Sequence, residues 1–231
     1  MKKRFVADRR SPLSKPVVGL LIGALWLGGC AELQESPLGP RHHPSNVSSA
    51  GNSVAEHLRR VAVLPLAAVN SGFDAQAGVE TLEPVLMTEL QKQNRFEALS
   101  VSRADLLQWT GRPAFRGDEV LPEHALERIQ KETGCDGVLF ATLTVYRPYA
   151  PPAIGWRMRL VTVPDKTTVW SADEVFDATD LGVANSALDY QSKQPMVGAG
   201  LREGRKILIS PSAFGHYTAN ALLETLPPNS H

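Results

Sequence analysis

The sequence predicts an α/β domain of three layers. Its mixed β-sheet has a parallel N-terminal βαβ part and an antiparallel C-terminal meander, and a C-terminal helix follows. Two observations predict this class. In the first half of the domain, apolar runs of strand length alternate with longer segments that carry a helical stripe. In the second half, strand-like segments follow one another with only turns between them, which favours antiparallel neighbours. The predicted order of elements is β-α-β-α-α-β-β-β-α.

The domain opens with a predicted strand and a predicted helix. Residues 61–64 form a short apolar run before a proline, which is typical of a strand covered on both faces. Residues 69–78 are predicted to be a loop. A helix is predicted over residues 81–96, with an apolar stripe at a spacing of four residues. Thr81 is its expected N-cap, which places Pro84 in the first turn, where a missing N–H costs little.

Two strands and two helices are predicted next. Residues 96–102 form the second strand, and Ser102 caps a short helix over residues 103–111. The segment 122–134, "PEHALERIQKETG", begins with proline and ends with glycine, the usual asymmetry of a helix. Residues 136–146, "DGVLFATLTVY", form the third strand.

The last part of the domain is predicted to be a meander and a closing helix. Residues 156–163 alternate between Trp, Met and Leu on one face and arginines on the other, and residues 168–177 form another strand, which predicts a sheet with one wetter face. Residues 178–193 are helical in part, and residues 194–208 form a loop. A helix over residues 210–227 is expected to direct these side chains into the core: Phe214, Tyr217, Ala221, Leu222 and Leu226.

The N-terminus has the pattern of a secretory signal. Residues 1–16 carry six Lys or Arg residues and one acid, and residues 17–27 are uncharged and mostly apolar. The apolar run is too short to span about 30 Å of hydrocarbon. It ends in "LGGC", which resembles the bacterial lipobox, so Cys30 is expected to carry diacylglycerol on its thiol and a fatty acyl chain such as palmitate on its new amino group. An ordinary signal with a chance cysteine is the alternative.

These features divide the chain into three parts. Residues 1–29 are the expected lipoprotein signal peptide. Residues 30–57 are the lipidated cysteine and a flexible tether, because this segment is rich in Pro, Ser, Asn and Gly and has no apolar period. Such a coil spans on the order of 30 Å. Residues 58–231 are the expected periplasmic α/β domain. The residue after Cys30 is Ala31 rather than Asp, which by the enterobacterial sorting rule implies the outer membrane.

The charge balance argues against a nucleic-acid partner. Removal of residues 1–29 takes away six of the 24 Lys and Arg residues and one of the 24 Asp and Glu residues, which leaves a net charge of −5. A mildly acidic chain without a basic run is not typical of nucleic-acid binding.

Cysteine and histidine residues give little indication of chemistry. After lipidation only Cys135 remains, and its position at the start of an apolar run favours a small buried side chain over a nucleophile. His42 and His43 lie in the expected tether without the further ligands that a metal site needs. His216 is interpreted as a helix-surface or cap-region group. A hydrogen bond from His216 to a Ser or a carboxylate in a deep pocket would instead favour a hydrolase.

The remaining candidate motifs are also weak. The segment Gly198–Gly204 lacks the spacing and the preceding strand of a dinucleotide loop. Asp173 and Asp177 lie at positions that share one strand face, with Glu174 between them, and a solvated face is favoured over an acid/base pair. We therefore predict no catalytic, cofactor-binding or metal-binding residue, and no enzyme activity.

The order of elements resembles a class of bacterial envelope lipoproteins. The resemblance lies in "RVAVLPL", "LMTELQKQNRFEALSVSRADL", "ALERIQKETGCDGVLFATLTVY" and "TVWSAD", over roughly residues 58–180. The class includes the curli-secretion lipoprotein, the Pel-type export lipoprotein, the lipoprotein activator of a peptidoglycan synthase and the N-terminal domain of TolB. It implies a compact α/β domain that binds proteins without catalysis, often as an oligomer. The sequence lacks the long alternating segment of a membrane hairpin, so it departs from the curli channel.

The predicted function is that of a membrane-anchored periplasmic lipoprotein. It would be a non-catalytic binding or assembly component of an envelope system for secretion, polysaccharide export or cell-wall synthesis. A structural subunit of an oligomeric ring and a periplasmic hydrolase are the alternatives. The predicted partners are the bilayer, through acylated Cys30, envelope proteins and further copies of the chain. Arg202, Arg205 and Lys206 form a candidate partner-binding patch, because they place positive charge on an acidic domain; a solvated loop is the alternative there.

Overall fold

The computed structural model describes residues 39–50, 58–163, 165–194 and 203–228, with the side chains of residues 203–205 excepted. The predicted signal peptide and Cys30 lie outside these ranges. The strands are β1 (Val47–Ser49), β2 (Arg60–Val63), β3 (Ala67–Ala68), β4 (Glu97–Ser100), β5 (Gly137–Arg147), β6 (Ala153–Thr162) and β7 (Thr168–Asp177). The helices are α1 (Phe73–Gln93), α2 (Arg103–Thr110), α3 (Ala125–Thr133), α4 (Leu181–Lys193), a 3₁₀ helix (Glu203–Leu208) and α5 (Pro211–Leu223).

These strands form one mixed sheet, as the sequence predicts. Its order is β1-β7-β6-β5-β2-β4, and the short β3 pairs with β5 beside this path. The pairs of β2 with β4, β2 with β5 and β3 with β5 are parallel. The pairs of β5 with β6, β6 with β7 and β1 with β7 are antiparallel. The parallel part therefore precedes the meander along the chain, and the predicted class is confirmed.

Helices cover both faces of the sheet, which gives the predicted three layers. On one face, α1, α4 and α5 pack over the larger core, where Trp156 and Trp170 are fully buried. Their indole N–H groups donate to Thr218 Oγ1 at 2.9 Å and to Thr225 Oγ1 at 3.0 Å, so neither ring leaves a buried polar atom unpaired. On the other face, α2 and α3 cover a smaller core that includes Cys135, which is 1% exposed and is the small buried side chain predicted.

The first helix begins earlier than predicted. It starts at Phe73 after the N-cap Gly72, so the expected loop over residues 69–78 is wrong for its second half. Thr81 is not the N-cap, because its hydroxyl donates to the carbonyl of Ala77 within the helix at 2.8 Å. Pro84 lies in the helix interior with its ring exposed. The prediction placed Pro84 in the first turn, and this put the start of the helix too late. The buried position Gly78 has no apolar side chain, so it gives no sign of a helix in the sequence.

The other α-helices lie where the sequence predicts them, although α5 ends at Leu223 rather than at residue 227, and the 3₁₀ helix lies within the predicted loop over residues 194–208. Helix α3 begins at Ala125 rather than at the predicted Pro122, because His124 before it has a left-handed backbone (φ 60°). Gly134 ends α3 with φ 65°, as its position predicts. The predicted core positions of the closing helix are buried, except that Ala221 is half-buried.

Residues 39–50, here called the N-terminal strap, differ from the predicted flexible tether. Within the strap, β1 pairs with β7 in the register Val47↔Ala172 to Ser49↔Trp170. Arg41 forms an ion pair with Asp189 of α4 at 2.9 Å. A polar composition does not predict this attachment, because it is made by backbone groups that satisfy the otherwise open edge of β7.

Candidate functional site

The predicted partner-binding patch is only partly within the described residues. Arg202 lies outside them, and Arg205 has a described backbone position in the 3₁₀ helix but no described side chain. Lys206 is exposed and lines a cavity of about 310 Å³. The cavity is bounded by Lys92, Tyr190, Gln191, Gln194, Lys206, Ile207, Ala213 and His216.

A buried carboxylate lies beside this cavity. Glu89 of α1 has no exposed surface, and it faces α5 rather than solvent. Its Oε1 accepts a hydrogen bond from Nδ1 of His216 at 2.5 Å and another from Nζ of Lys92 at 2.7 Å. Burial opposes ionisation of this carboxyl group, but the hydrogen bonds from His216 and Lys92 outweigh burial and hold the pKa of Glu89 below its ordinary value.

Tyr190 of α4 completes the surroundings of Glu89. Burial raises the pKa of the Tyr190 hydroxyl, and the charge of Glu89 raises it further. The phenol therefore stays neutral, and Glu89 is the ionised member of the group. Because an ionised carboxylate can only accept hydrogen bonds, Nδ1 of His216 carries a proton.

This arrangement corrects the interpretation of His216. It lies on the exposed side of α5, with one third of its side chain accessible, yet it is oriented by a buried carboxylate. The contact with Glu89 is made by Nδ1, and the other ring nitrogen, Nε2, takes no part in it. The described lining contains no Ser, Thr or Cys side chain beside this histidine.

Sequence reasoning did not identify Glu89, although a signal exists. Position 89 follows Leu82 by seven residues, so it lies on the apolar stripe that faces the core. A carboxylate on such a stripe needs a partner from another element. In the structure that partner is His216, which is 127 residues away along the chain.

The carboxylates of β7 are each engaged separately. Asp173 accepts from Nε of Arg157 at 2.7 Å, and Asp177 accepts from Arg147 at 2.6 Å. Burial raises the pKa of Asp177, but its hydrogen bonds with Thr179 and Arg147 outweigh this and lower the pKa. Glu174 accepts the backbone N–H groups of Ser45 and Asn46 in the strap. The strand does not carry an acid/base pair.

The tandem histidines have a structural setting in the strap. His42 packs edge-on against Phe176, with ring centroids 5.2 Å apart, and its Nε2 lies 3.6 Å from Oε1 of Glu174. His43 is exposed. Among the described residues, no group of three His, Cys, Asp or Glu side chains could hold a metal ion. No helix in these ranges has both the length and the apolar composition needed to cross a bilayer.

Comparison with known proteins gives likeness at the level of solved structures. No family model matches the chain, and no curated protein matches it. Similar solved structures include the PelC dodecamer from Paraburkholderia phytofirmans, with 17% identity, a TM-score of 0.39, and coverage of 60% of this chain and 87% of that chain. Lipoprotein GNA1162 from Neisseria meningitidis has 16% identity, a TM-score of 0.39, and coverage of 58% and 97%.

A third similar structure is TolB from Acinetobacter baumannii, with 14% identity, a TM-score of 0.30, and coverage of 64% of this chain and 30% of that chain. These names include a Pel-type protein, a lipoprotein and TolB, which are among the proteins that the sequence resembles. At such identities and TM-scores, none of the three assigns a residue role or an activity to this chain.

Proposed function

We propose that this protein is a lipid-anchored, non-catalytic binding component of a bacterial envelope assembly, with its α/β domain in the periplasm. The observation that carries the proposal is the strap. The chain that follows the expected lipobox cysteine is attached to α4 at Arg41 and to the edge strand β7 over Val47–Ser49, so the domain begins well before residue 58.

The strap shortens the distance between the domain and the bilayer. Nine peptide steps join Cys30 to Gly39, and they span at most about 32 Å when fully extended. A tether that ran freely to residue 58 would have a contour of about 100 Å. The short connection therefore limits how far the first residues of the strap can lie from the proposed acylated cysteine.

The finer parts of the proposal concern the membrane and the partner. Ala31 after the cysteine favours the outer membrane, and Arg202, Arg205 and Lys206 are the proposed contacts for an acidic envelope protein. Charge reversal of these three residues should reduce crosslinking of the intact lipoprotein to its envelope partner in cells. Capture of the same partner in equal yield by the reversed variant would contradict the patch.

The anchor is tested by Cys30→Ser. This variant should lose acylation and move from the membrane fraction to the soluble fraction, because the acyl chains on Cys30 are the proposed attachment to the bilayer. Cys135→Ser is the matched control, since it also removes a thiol but leaves the lipobox intact, and it should stay with the membrane. Intact-mass measurement of the native protein should give an N-terminus that begins at an acylated Cys30. Full retention of Cys30→Ser in membranes would overturn the anchor.

A periplasmic hydrolase is the second candidate, and the Glu89–His216 pair is the observation that favours it. A histidine oriented by a carboxylate can activate water on a substrate bound in the adjacent cavity. Ester and amide hydrolysis by the purified protein, abolished by His216→Ala, would establish this candidate. The ring subunit is separated from both by light scattering of the purified chain, which distinguishes a stable ring from a monomer.

A further inference from the structure

A second cavity lies where the connections of two neighbouring parallel strands diverge. The chain leaves β2 towards α1 on one face of the sheet, and it leaves the adjacent β4 towards α2 on the other face. In open α/β sheets, a crevice at the carboxyl ends of such strands is the usual place for a ligand. A cavity of about 480 Å³ opens here, between the loop after β2, the start of α2 and the 112–119 loop.

Three guanidinium groups line this cavity, from Arg103, Arg112 and Arg116. Arg103, the first residue of α2, is held by two hydrogen bonds to Glu83 at 2.8 and 2.7 Å and by one to the carbonyl of Leu66 at 2.9 Å. Arg112 lies over the ring of Phe115 at 4.9 Å. These contacts fix the first two groups before any ligand arrives, which lowers the entropy cost of binding.

The acidic neighbours of these arginines, Glu83 and Glu119, already accept hydrogen bonds from the protein. Glu83 accepts both hydrogen bonds from Arg103 and a third from the N–H of Leu66 at 2.9 Å. Glu119 uses one oxygen for the backbone N–H of Arg116 at 2.7 Å and the other for Arg112 at 3.0 Å. Their negative charges orient the arginines, and the lining still carries three guanidinium groups against the single carboxylate of Glu119.

The arginines, in contrast, keep unused donors. A guanidinium has five N–H donors. Arg103 uses three of them in the bonds above, and Arg112 uses one. Nε of Arg116 is buried without a hydrogen-bond partner, and its nearest acid oxygen, on Asp118, is 3.4 Å away. Such an excess of charged donors over acceptors is matched by a ligand that carries several oxyanion oxygens.

We propose that this cavity binds a compact multivalent oxyanion, that is, a phosphorylated or polycarboxylated small molecule. Arg103 and Arg112 would hold its anionic oxygens from two sides, and Arg116 would donate its unpaired Nε–H. Asn70, Ser71 and Gln76 at the rim supply neutral polar groups for the rest of the ligand. The site is separate from the Glu89–His216 cavity and does not depend on the proposed envelope role.

The test is a titration of the full chain, purified in detergent, with inorganic pyrophosphate and with citrate at low salt. We expect saturable binding of at least one probe by calorimetry, and which probe binds distinguishes phosphate from carboxylate recognition. Arg116→Gln should weaken that binding at least about tenfold, because it removes one charge-assisted donor. Arg116 is the chosen position because its Nε makes no hydrogen bond and contacts only Asp118, in an ion pair at 3.4 Å.

Arg59→Gln is the matched control, since it makes the same change at an exposed arginine next to the opposite end of β2. Its affinity should equal that of the parent chain. Arg112→Gln provides a second variant with the same expected loss, and the thermal midpoint of each variant establishes that it is folded. No binding of either probe up to about 10 mM, or equal weakening by Arg59→Gln and Arg116→Gln, overturns the proposal.

Discussion

Glu89 of α1 lies where three helices, α1, α4 and α5, meet. It has no exposed surface, and its partners come from its own helix and from α5, with Tyr190 of α4 nearby. A buried carboxylate is costly unless it is paired, and removal of its charge leaves its donors without an acceptor. Glu89 therefore contributes stability only while it is ionised.

Replacement by glutamine tests this role. Glu89→Gln should lower the free energy of unfolding at neutral pH by about 1–3 kcal/mol, because His216 and Lys92 lose their charged acceptor. Urea titration measures the change. Glu80→Gln makes the same substitution at an exposed position of α1 and should leave the midpoint unchanged. Equal effects of the two substitutions would contradict the structural role of Glu89.

The pH dependence of stability gives a second measurement on the same residue. Because the pKa of Glu89 is lowered by folding, its contribution is present above the unfolded pKa near 4.5 and is lost as pH falls through the folded pKa. The parent chain should therefore lose stability in the acid range more steeply than Glu89→Gln. Parallel curves for the two proteins below pH 5 would contradict the assignment of the charge.

Helix α1 begins at Phe73, eight residues before the start that the sequence predicts. The apolar stripe of residues 82–90 identifies its second half. Its first turns carry Gly72 and Gly78, and glycine is a poor helix former, so local propensity does not predict a helix there. Gly78 lies so close to β5 that a Cβ would come within 2.7 Å of Leu143 and Tyr146. Tertiary packing, not propensity, explains these turns.

Gly78→Ala distinguishes the two effects. Propensity alone would make the variant more stable by about 1 kcal/mol. The steric contact should reverse the sign and destabilise the protein by about 1–3 kcal/mol, because the Tyr146 ring must move. Thermal or urea unfolding provides the readout. Gly72→Ser on the same helix has open space and an extended backbone, and it should be neutral or slightly stabilising as an N-cap. A more stable Gly78→Ala would show that the contact is relieved cheaply.

Strands and sites differ in how far the sequence predicts them. Strands β2, β5, β6 and β7 carry continuous or alternating apolar residues, so the local sequence predicts that these strands are buried. Strand β1 has no such signal. It is held by backbone bonds such as Ala50 N to the Val169 carbonyl at 2.9 Å, and by Glu174, more than 120 residues away. The sequence indicates that Glu89 needs a partner, because it lies on an apolar stripe, but it does not indicate that the partner is His216, which is 127 residues away.

At the scale of the whole molecule, the strap determines how the proposed anchor positions the domain. If the strap stays on β7, only the residues between Cys30 and Gly39 set the distance to the bilayer. If the strap detaches, every residue up to β2 adds to the tether. The two cases respond differently to added chain length, so the position of an insertion reports on the strap.

Insertion of 20 Gly and Ser residues between residues 35 and 36 should raise the r.m.s. span of the connection from about 16 Å to about 30 Å, and so move the domain away from the membrane by about 13 Å on average. The same insertion between residues 54 and 55 should leave the distance unchanged, because it lies after β1 and the strap remains paired with β7. A dye on Ser192→Cys, an exposed position of α4, and an acceptor lipid in the bilayer measure the distance by energy transfer. Cys30 is expected to be acylated and Cys135 is buried, so the dye reacts at one position. An equal loss of transfer from both insertions would mean that the strap leaves the sheet at the membrane, and the short reach proposed for the anchor would then be lost.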